Sequence, residues 1–488
     1  MTDAKPSKRT LRAPPGTRDF YPADLLRRRY IEKAWRDTAI RHGFEEIDGP
    51  TFETADLYKV KSGEGILGEM FGVFSGKAEE DLKQLRETGE APFALRPEFT
   101  PTLARMYAAR AAQLPKPCKW FWQQTCFRAE RQQRGRLREF MQWNCDILGA
   151  DGPMIDAELM SVVVAALEVL GLTPNDCRVR YSHRSLVASL AGRVGVPEGK
   201  VGEFLAFLDG RAKRSPEANT RALAGIGLDA AILERYSAAE SALVQSWNKG
   251  TSGRDEAARE HDVWNVGDLN AALFETQIHD WCTVDLGIVR GLAYYTGAVF
   301  EVIAEGERAV AGGGRYDGLI ELFGGPPTPA AGFGMGDVVL ANLLGDRNLL
   351  PTDGDLVAAM SSRGAGVRPD VFVISNGEVE SDHAVARVTS DLRRGVESEA
   401  WRSRDGRKPW DPDRYSAPPL HARHSYKATK NIGKLLQEAS ACHARFAAII
   451  ESAEHATLKN LDTRHEEKHI PLDSLAARIH SGMSPARA

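Results

Sequence analysis

Three observations predict an α+β chain. The stretch Lys119–Gly149, KWFWQQTCFRAERQQRGRLREFMQWNCDILG, reads as two strands joined by an arginine-rich turn. Helical patterns flank it at Ala23–His42 and Asp156–Leu170. Beyond Pro369, strand and helix signals alternate as in a separate α/β unit.

At 488 residues the chain has room for two or three domains, and its 42% hydrophobic and 27% charged residues are those of an ordinary globular protein. The net charge of -4 gives no global sign of nucleic acid, so any RNA contact must come from a local basic patch such as Arg128–Arg138. Six cysteines without CxxC pairing argue against a disulfide framework or zinc ribbon and fit a reducing cytosol. No apolar run approaches the ~18 residues that cross a bilayer. The opening MTDAKPSKRTLRA is basic but lacks an apolar core, so residues 1–13 read as a short disordered arm of a cytoplasmic protein.

In chain order, Leu26, Tyr30, Ala34 and Ile40 give the first helix its apolar positions, and Gly43 ends it. Arg27–Arg29 reads as a solvated helix face. In the hairpin, strand alternation sets Arg128 and Glu130 on one face of the first segment, and Arg138, Phe140, Gln142, Asn144 and Asp146 on one face of the second. Met141, Trp143, Cys145 and Ile147 then form an apolar layer opposite. A plain solvated sheet face gives the same alternation. Five arginines between the strands favour phosphate instead, because guanidinium forks match its oxygens in a bidentate geometry.

Gly171 stops the helix Asp156–Leu170. After Arg180, and until about Glu275, the Ala-, Leu-, Glu- and Arg-rich sequence reads as a mostly helical insertion. Apolar and β-branched residues return at His279–Glu301, followed by a glycine-rich region over 311–336. Leu349–Pro369 reads as a linker, PDVFVIS as a strand, and SRDGRKPWDPDRYSAPPLHARHS as a loop excursion. HEEKH (His465–His469) matches the HExxH zinc pattern, but without an apolar helical face or a third ligand it reads as a charged hairpin turn.

The string FRAERQQRGRLREF resembles motif 2 of the class II aminoacyl-tRNA synthetases, in the form carried by the histidyl-tRNA synthetase family. PPGTRDFYP (Pro14–Pro22) resembles that family's N-terminal signature, and EEIDGPTFE (Glu45–Glu53) its motif 1, with Pro50 as the proline. FALRPEFTPTLAR (Phe93–Arg105) resembles its amino-acid-binding segment. VRGLAYYTGAVFEV (Val289–Val302) and AGGGRYDGLIELFGG (Ala311–Gly325) resemble its two histidine-specific signatures.

The resemblance implies an antiparallel sheet flanked by helices, with a helical insertion and a C-terminal α/β anticodon-binding domain. The implied layout is a catalytic domain over 14–180 and 279–346, the insertion over 181–278, a linker over 347–368 and the anticodon-binding domain over 369–488. It implies histidine, ATP with Mg²⁺ and tRNA(His) as partners, a homodimer built on motif 1, no membrane, and no protein cage for a metal.

By the same resemblance Arg128 would hold the α-phosphate, Glu130 the adenine side of ATP and Arg136 the outer phosphates. Arg290 would approach the α-phosphate from the other side, as a second catalytic arginine that also touches histidine. Glu98 and Thr100, sharing strand parity, would bind the α-amino group with Gln142. Asp146, Tyr294 and Tyr295 would face the imidazole, and Arg131, Gln132, Gln133 and Arg134 the tRNA acceptor end.

Three positions depart from the family pattern. Asp146 stands where most of the family has glutamate, and Ala293 where many have aspartate. Val339 stands where motif 3 has the arginine that binds the γ-phosphate, which leaves Mg²⁺ and another arginine, Arg136 or Arg315, for the triphosphate tail. A second reading therefore stays open: a synthetase-like regulatory subunit of ATP phosphoribosyltransferase, which binds histidine without charging tRNA. Val339 favours it, whereas the intact VRGLAYY and the extra C-terminal domain favour the ligase.

Overall fold

Alternation along Glu139–Leu148 decides which face of the main sheet meets the helices. The structure is a computed structural model that describes residues 12–59, 68–211, 214–248, 266–289, 295–362, 364–427 and 429–483. Its main sheet has eight strands in the order Glu45–Glu46, Cys118–Phe127, Glu139–Leu148, Ala330–Gly336, Ala311–Arg315, Ala298–Ile303, Arg178–His183 and Cys282–Val284. The inner neighbours are antiparallel, and the outermost pair at each edge is parallel. This is the α+β arrangement expected.

Trp143, Cys145 and Ile147 are fully buried in a core shared with the helices Pro22–Arg41, Pro153–Val169 and Asp337–Asp346. Trp35 stacks on Trp143 with ring centroids 5.8 Å apart, joining the first helix to the hairpin. Burial of side chains this large contributes about 2–3 kcal/mol each, so this layer is a main source of stability. The first helix starts with Pro22 in its opening turn, where no amide partner is lost, and the chain turns away at Gly43 (φ 79°). The opposite sheet face is polar yet also closed: Asn144 and Asp146 are buried.

Helices between Arg184 and Asn248 form a core of their own around Phe204, Leu208, Leu223 and Tyr236. The flanks of the segment expected as an insertion behave differently. Tyr181, Ser182 and His183 remain in the main sheet, and the helix Val266–Glu275 sends Leu269 and Leu273 into the main core. The segment read as a linker likewise holds a helix, Asp353–Ser361, whose Leu356 and Ala359 join that core.

The C-terminal unit is a five-stranded sheet in the order Ala422–His424, Val371–Ser375, Phe446–Ile450, His455–Asn460 and Glu466–Pro471. The segment read as a loop excursion is a docking arm. Arg414 donates to the carbonyls of Glu168 (3.1 Å) and Val169 (3.3 Å), and Trp410 meets Tyr30 edge-on at 6.4 Å. A buried junction completes the contact. Lys119 Nζ lies 2.7 Å from Glu158 Oε1 and 2.9 Å from the Tyr426 hydroxyl, with Arg393 Nη1 3.2 Å from the same Glu158 oxygen. Burial lowers the Lys119 amine to about 8; burial works against the Glu158 carboxylate too, but Lys119 and Arg393 hold it well below its usual range. His469 lies on the strand Glu466–Pro471 rather than on a helix, and among the described residues no group of three His, Cys, Asp or Glu could hold a metal ion. No described helix is long and apolar enough to cross a membrane.

Candidate active site

Strand register assembles the site from short-range pattern. Gln142, Asn144 and Asp146 pair directly with Gly336, Gly334 and Gly332, and Gly334 and Gly332 pair in turn with Gly312 and Gly314. Directly paired residues share a face. One side of the sheet is therefore a polar wall of Gln142, Asn144 and Asp146 beside a floor of bare glycine backbone. The floor has to be bare: a Cβ on Gly332 would stand 1.9 Å from Asp146 Oδ1, and one on Gly314 would stand 2.4 Å from the Ala298 carbonyl and 3.0 Å from Tyr295 Cδ1.

Above the floor lies a cavity of about 800 Å³, lined by Arg128, Glu130, Arg136, Phe140 and Gln142 on the hairpin side. Glu301, Arg308, Gly312 and Gly334 face them. Arg128 is fixed by Nε, which donates to the Pro97 carbonyl at 3.0 Å, while its guanidinium lies 5.2 Å from the Phe140 ring centroid. Arg136 Nε is 2.6 Å from Glu130 Oε2. Burial raises the Glu130 carboxyl; Arg136 opposes this and the neighbouring Glu69 adds to it.

The loop is held from two directions. The Arg138 amide donates to the Gly16 carbonyl at 2.8 Å, laying Pro14–Pro22 across the hairpin, and Asp337 accepts from Arg18 (2.6 Å) and from the Met141 amide (2.9 Å). Arg131, Gln132, Gln133 and Arg134 are exposed at its tip, where Arg134 pairs with Asp346 at 2.6 Å and with Glu307.

The residues expected around histidine divide. Gln142 lines the cavity; Glu98, Thr100, Asp146 and Tyr295 are buried and do not line it. Glu98 and Thr100 do not share a strand: the strand ends at Leu95, Glu98 lies in the connecting loop, and Thr100 opens the helix Thr100–Arg110. Pro97 and Pro101 break the alternation that a strand would need. Just upstream, Arg96 Nε donates to the Thr125 carbonyl at 2.8 Å and its Nη1 reaches the Gly49 carbonyl at 3.2 Å, tying Glu45–Glu53 to the hairpin. Arg290 and Tyr294, with Ala293, lie outside the described residues.

Arg315 is not available for phosphate. It meets Asp151 at 2.9 Å, Asp156 at 3.1 Å and Asp317 at 3.4 Å, and it does not line the cavity. Four residues were missed in the sequence. Tyr316 donates its hydroxyl to Asp146 Oδ1 and is fully buried, Arg18 and Asp337 brace the loop, and Arg308 lines the cavity. For Arg18 and Tyr316 a signal existed, since both sit inside quoted signatures. Arg308 lies outside them and only the fold brings it in.

A family model described as histidyl-tRNA synthetase matches residues 16–337. The histidine–tRNA ligase of Opitutus terrae is 37% identical over 388 residues, covering 78% of this chain and 83% of that protein. The histidine–tRNA ligase of Haloarcula marismortui is 36% identical over 389 residues, covering 78% and 81%. The crystal structure of histidyl-tRNA synthetase from Nostoc sp. PCC 7120 shares the fold, with a TM-score of 0.56 over 98% of this chain and 100% of that one at 19% identity. The chain belongs to the histidyl-tRNA synthetase family.

Proposed function

We infer that the chain is a histidine–tRNA ligase: it joins histidine to tRNA(His) at the expense of ATP. One observation carries the reading. Two arginines, Arg128 and Arg136, share a cavity of about 800 Å³ with Gln142, over a glycine floor whose far side leads to Asp146.

In the first step a histidine carboxylate oxygen attacks the α-phosphorus in line. The bond to the bridging oxygen breaks, and its electrons leave with pyrophosphate. Negative charge builds on the α-phosphate oxygens, so catalysis is chiefly positioning and charge stabilisation. Arg128, already fixed by the Pro97 carbonyl, is the α-phosphate arginine of this proposal, and Arg290 is its second catalytic arginine. Glu130 serves the adenine side and Arg136 the outer phosphates. Glu98, Thr100 and Gln142 take the α-amino group, and Asp146 with Tyr294 and Tyr295 the imidazole. In the second step the terminal ribose hydroxyl of tRNA attacks the carbonyl carbon, loses its proton, and AMP departs; Arg131, Gln132, Gln133 and Arg134 face that acceptor end. Mg²⁺ arrives with ATP, and Glu301 on the cavity wall suits an ion that keeps most of its ligands as phosphate oxygens and water. The proposed assembly is a homodimer through Glu45–Glu53.

The test is histidine-dependent exchange of pyrophosphate into ATP, followed by charging of total tRNA. Both are expected of the wild type, and Arg128→Ala is expected to lose about 100-fold or more in kcat/KM, the scale of one lost charge-stabilising donor. Histidine binding without exchange would overturn the ligase in favour of the regulatory subunit.

A further inference from the structure

We propose that Arg308 is the side chain that grips the far end of the ATP triphosphate. The inference rests on the ATP reading above and deepens it. Arg308 lines the same cavity as Arg128 and Arg136, on the wall opposite the hairpin. Its stem lies at one corner of the motif 2 loop: a Cβ added to Gly135 (φ 74°) would stand 3.4 Å from Arg308 Cδ and 3.1 Å from Val339 Cγ2. The arginine and the valine thus flank the same loop glycine. Val339 is buried and apolar and offers a phosphate nothing, whereas Arg308 is exposed to the cavity from the adjoining corner.

Two nearby cations are already committed: Arg134 pairs with Glu307 and Asp346, and Arg315 with three aspartates. Arg136, paired with Glu130, meets the outer phosphates from the hairpin side, and Arg308 would meet them from the opposite wall. Among the described residues Arg308 makes no hydrogen bond or ion pair. Partial burial lowers its pKa, and Arg136 and Arg128 lower it further while Glu130 and Glu69 oppose them, so three guanidiniums converge on one space. A polyphosphate, with several negative charges, suits that convergence. Adenosine and the α-phosphate do not need this corner; the β- and γ-phosphates, which leave as pyrophosphate, do.

The test compares the wild type with Arg308→Ala. ATP binding is measured by calorimetry, pyrophosphate saturation in the exchange reaction, and affinity for a non-hydrolysable histidyl-adenylate analogue that has no outer phosphates. ATP affinity and pyrophosphate saturation should weaken by roughly 10- to 100-fold, the cost of one charge-assisted contact, with analogue affinity unchanged. Unchanged ATP and pyrophosphate constants would overturn the proposal. So would equal weakening for ATP and the analogue, which would make Arg308 a mere support of the cavity wall. A wild type that exchanges no pyrophosphate would sink the ligase reading, while calorimetric ATP affinity would still decide for or against Arg308.

Discussion

The Tyr316 hydroxyl donates to Asp146 across the main sheet, passing over the glycine strand that separates the two residues. Asp146 is one methylene shorter than the glutamate usual in the family. A buried tyrosine anchored in GGGRYDG holds the shorter carboxylate in place.

Replacing Tyr316 by phenylalanine removes that donor and keeps the ring. A hydrogen bond to a charged group contributes about 1.5–3 kcal/mol, so the histidine KM in pyrophosphate exchange should rise roughly 10-fold or more while the ATP KM stays the same. A parallel rise in both constants would contradict a role confined to the amino-acid side.

Gly332→Ala inserts a methyl group 1.9 Å from Asp146 Oδ1 and 3.0 Å from the Cys145 carbonyl, so the aspartate must swing away. Displacing one site group by about 1 Å costs on the order of 100-fold, and histidine activation should fall at least that far. Steady-state exchange kinetics reads the loss; full activity would show that Asp146 has another productive rotamer.

Glu158→Gln leaves Lys119 and Arg393 facing each other without a carboxylate. Removing one member of a buried ion cluster typically costs about 3–5 kcal/mol. Chemical denaturation should show the C-terminal unit melting earlier, with limited proteolysis cutting the segments that join it to the main sheet. An unchanged unfolding curve would mean that Arg414 and Trp410 hold the two units together without the junction.

The same junction predicts acid sensitivity. Burial lowers His421 to about 3, with Arg423 adding to the effect; burial lowers His424 to about 4, with Glu158 opposing and Arg393 and Lys119 assisting. His42 is also pushed well below its ordinary value, by burial and then by Arg393. In the unfolded chain these groups titrate near 6.5. Between about pH 6.5 and 4 the unfolded state binds protons that the folded state refuses, so stability present above that window is lost as pH falls through it. Three such groups give a slope of up to ~4 kcal/mol per pH unit. Urea midpoints taken at pH 7.5 and 5.5 should differ strongly, and less so in His421→Asn/His424→Asn; equal midpoints would contradict the prediction.

Legibility in the sequence followed the range of the interactions. Trp143, Cys145 and Ile147 alternate with Asn144 and Asp146 within one strand, so both faces of the hairpin could be read from period two alone. Glu98 and Thr100 could not: two prolines within five residues end the strand at Leu95, and the helix that Thr100 opens replaces the alternation. The helix Asp353–Ser361 was hidden in a segment that reads as linker because its burial comes from contact with the first helix and the main core. Arg308 belongs to the same class. It carries no motif, and its neighbours Gly135 and Val339 lie far from it in sequence.

The glycine floor has a consequence for how such a site can change over time. A surface made of missing atoms offers selection nothing to trim, and at Gly313, Gly314 and Gly332 even a methyl group collides at once. At those three positions change has to come with a compensating retreat of a neighbour, so the walls around them are freer to vary than the floor.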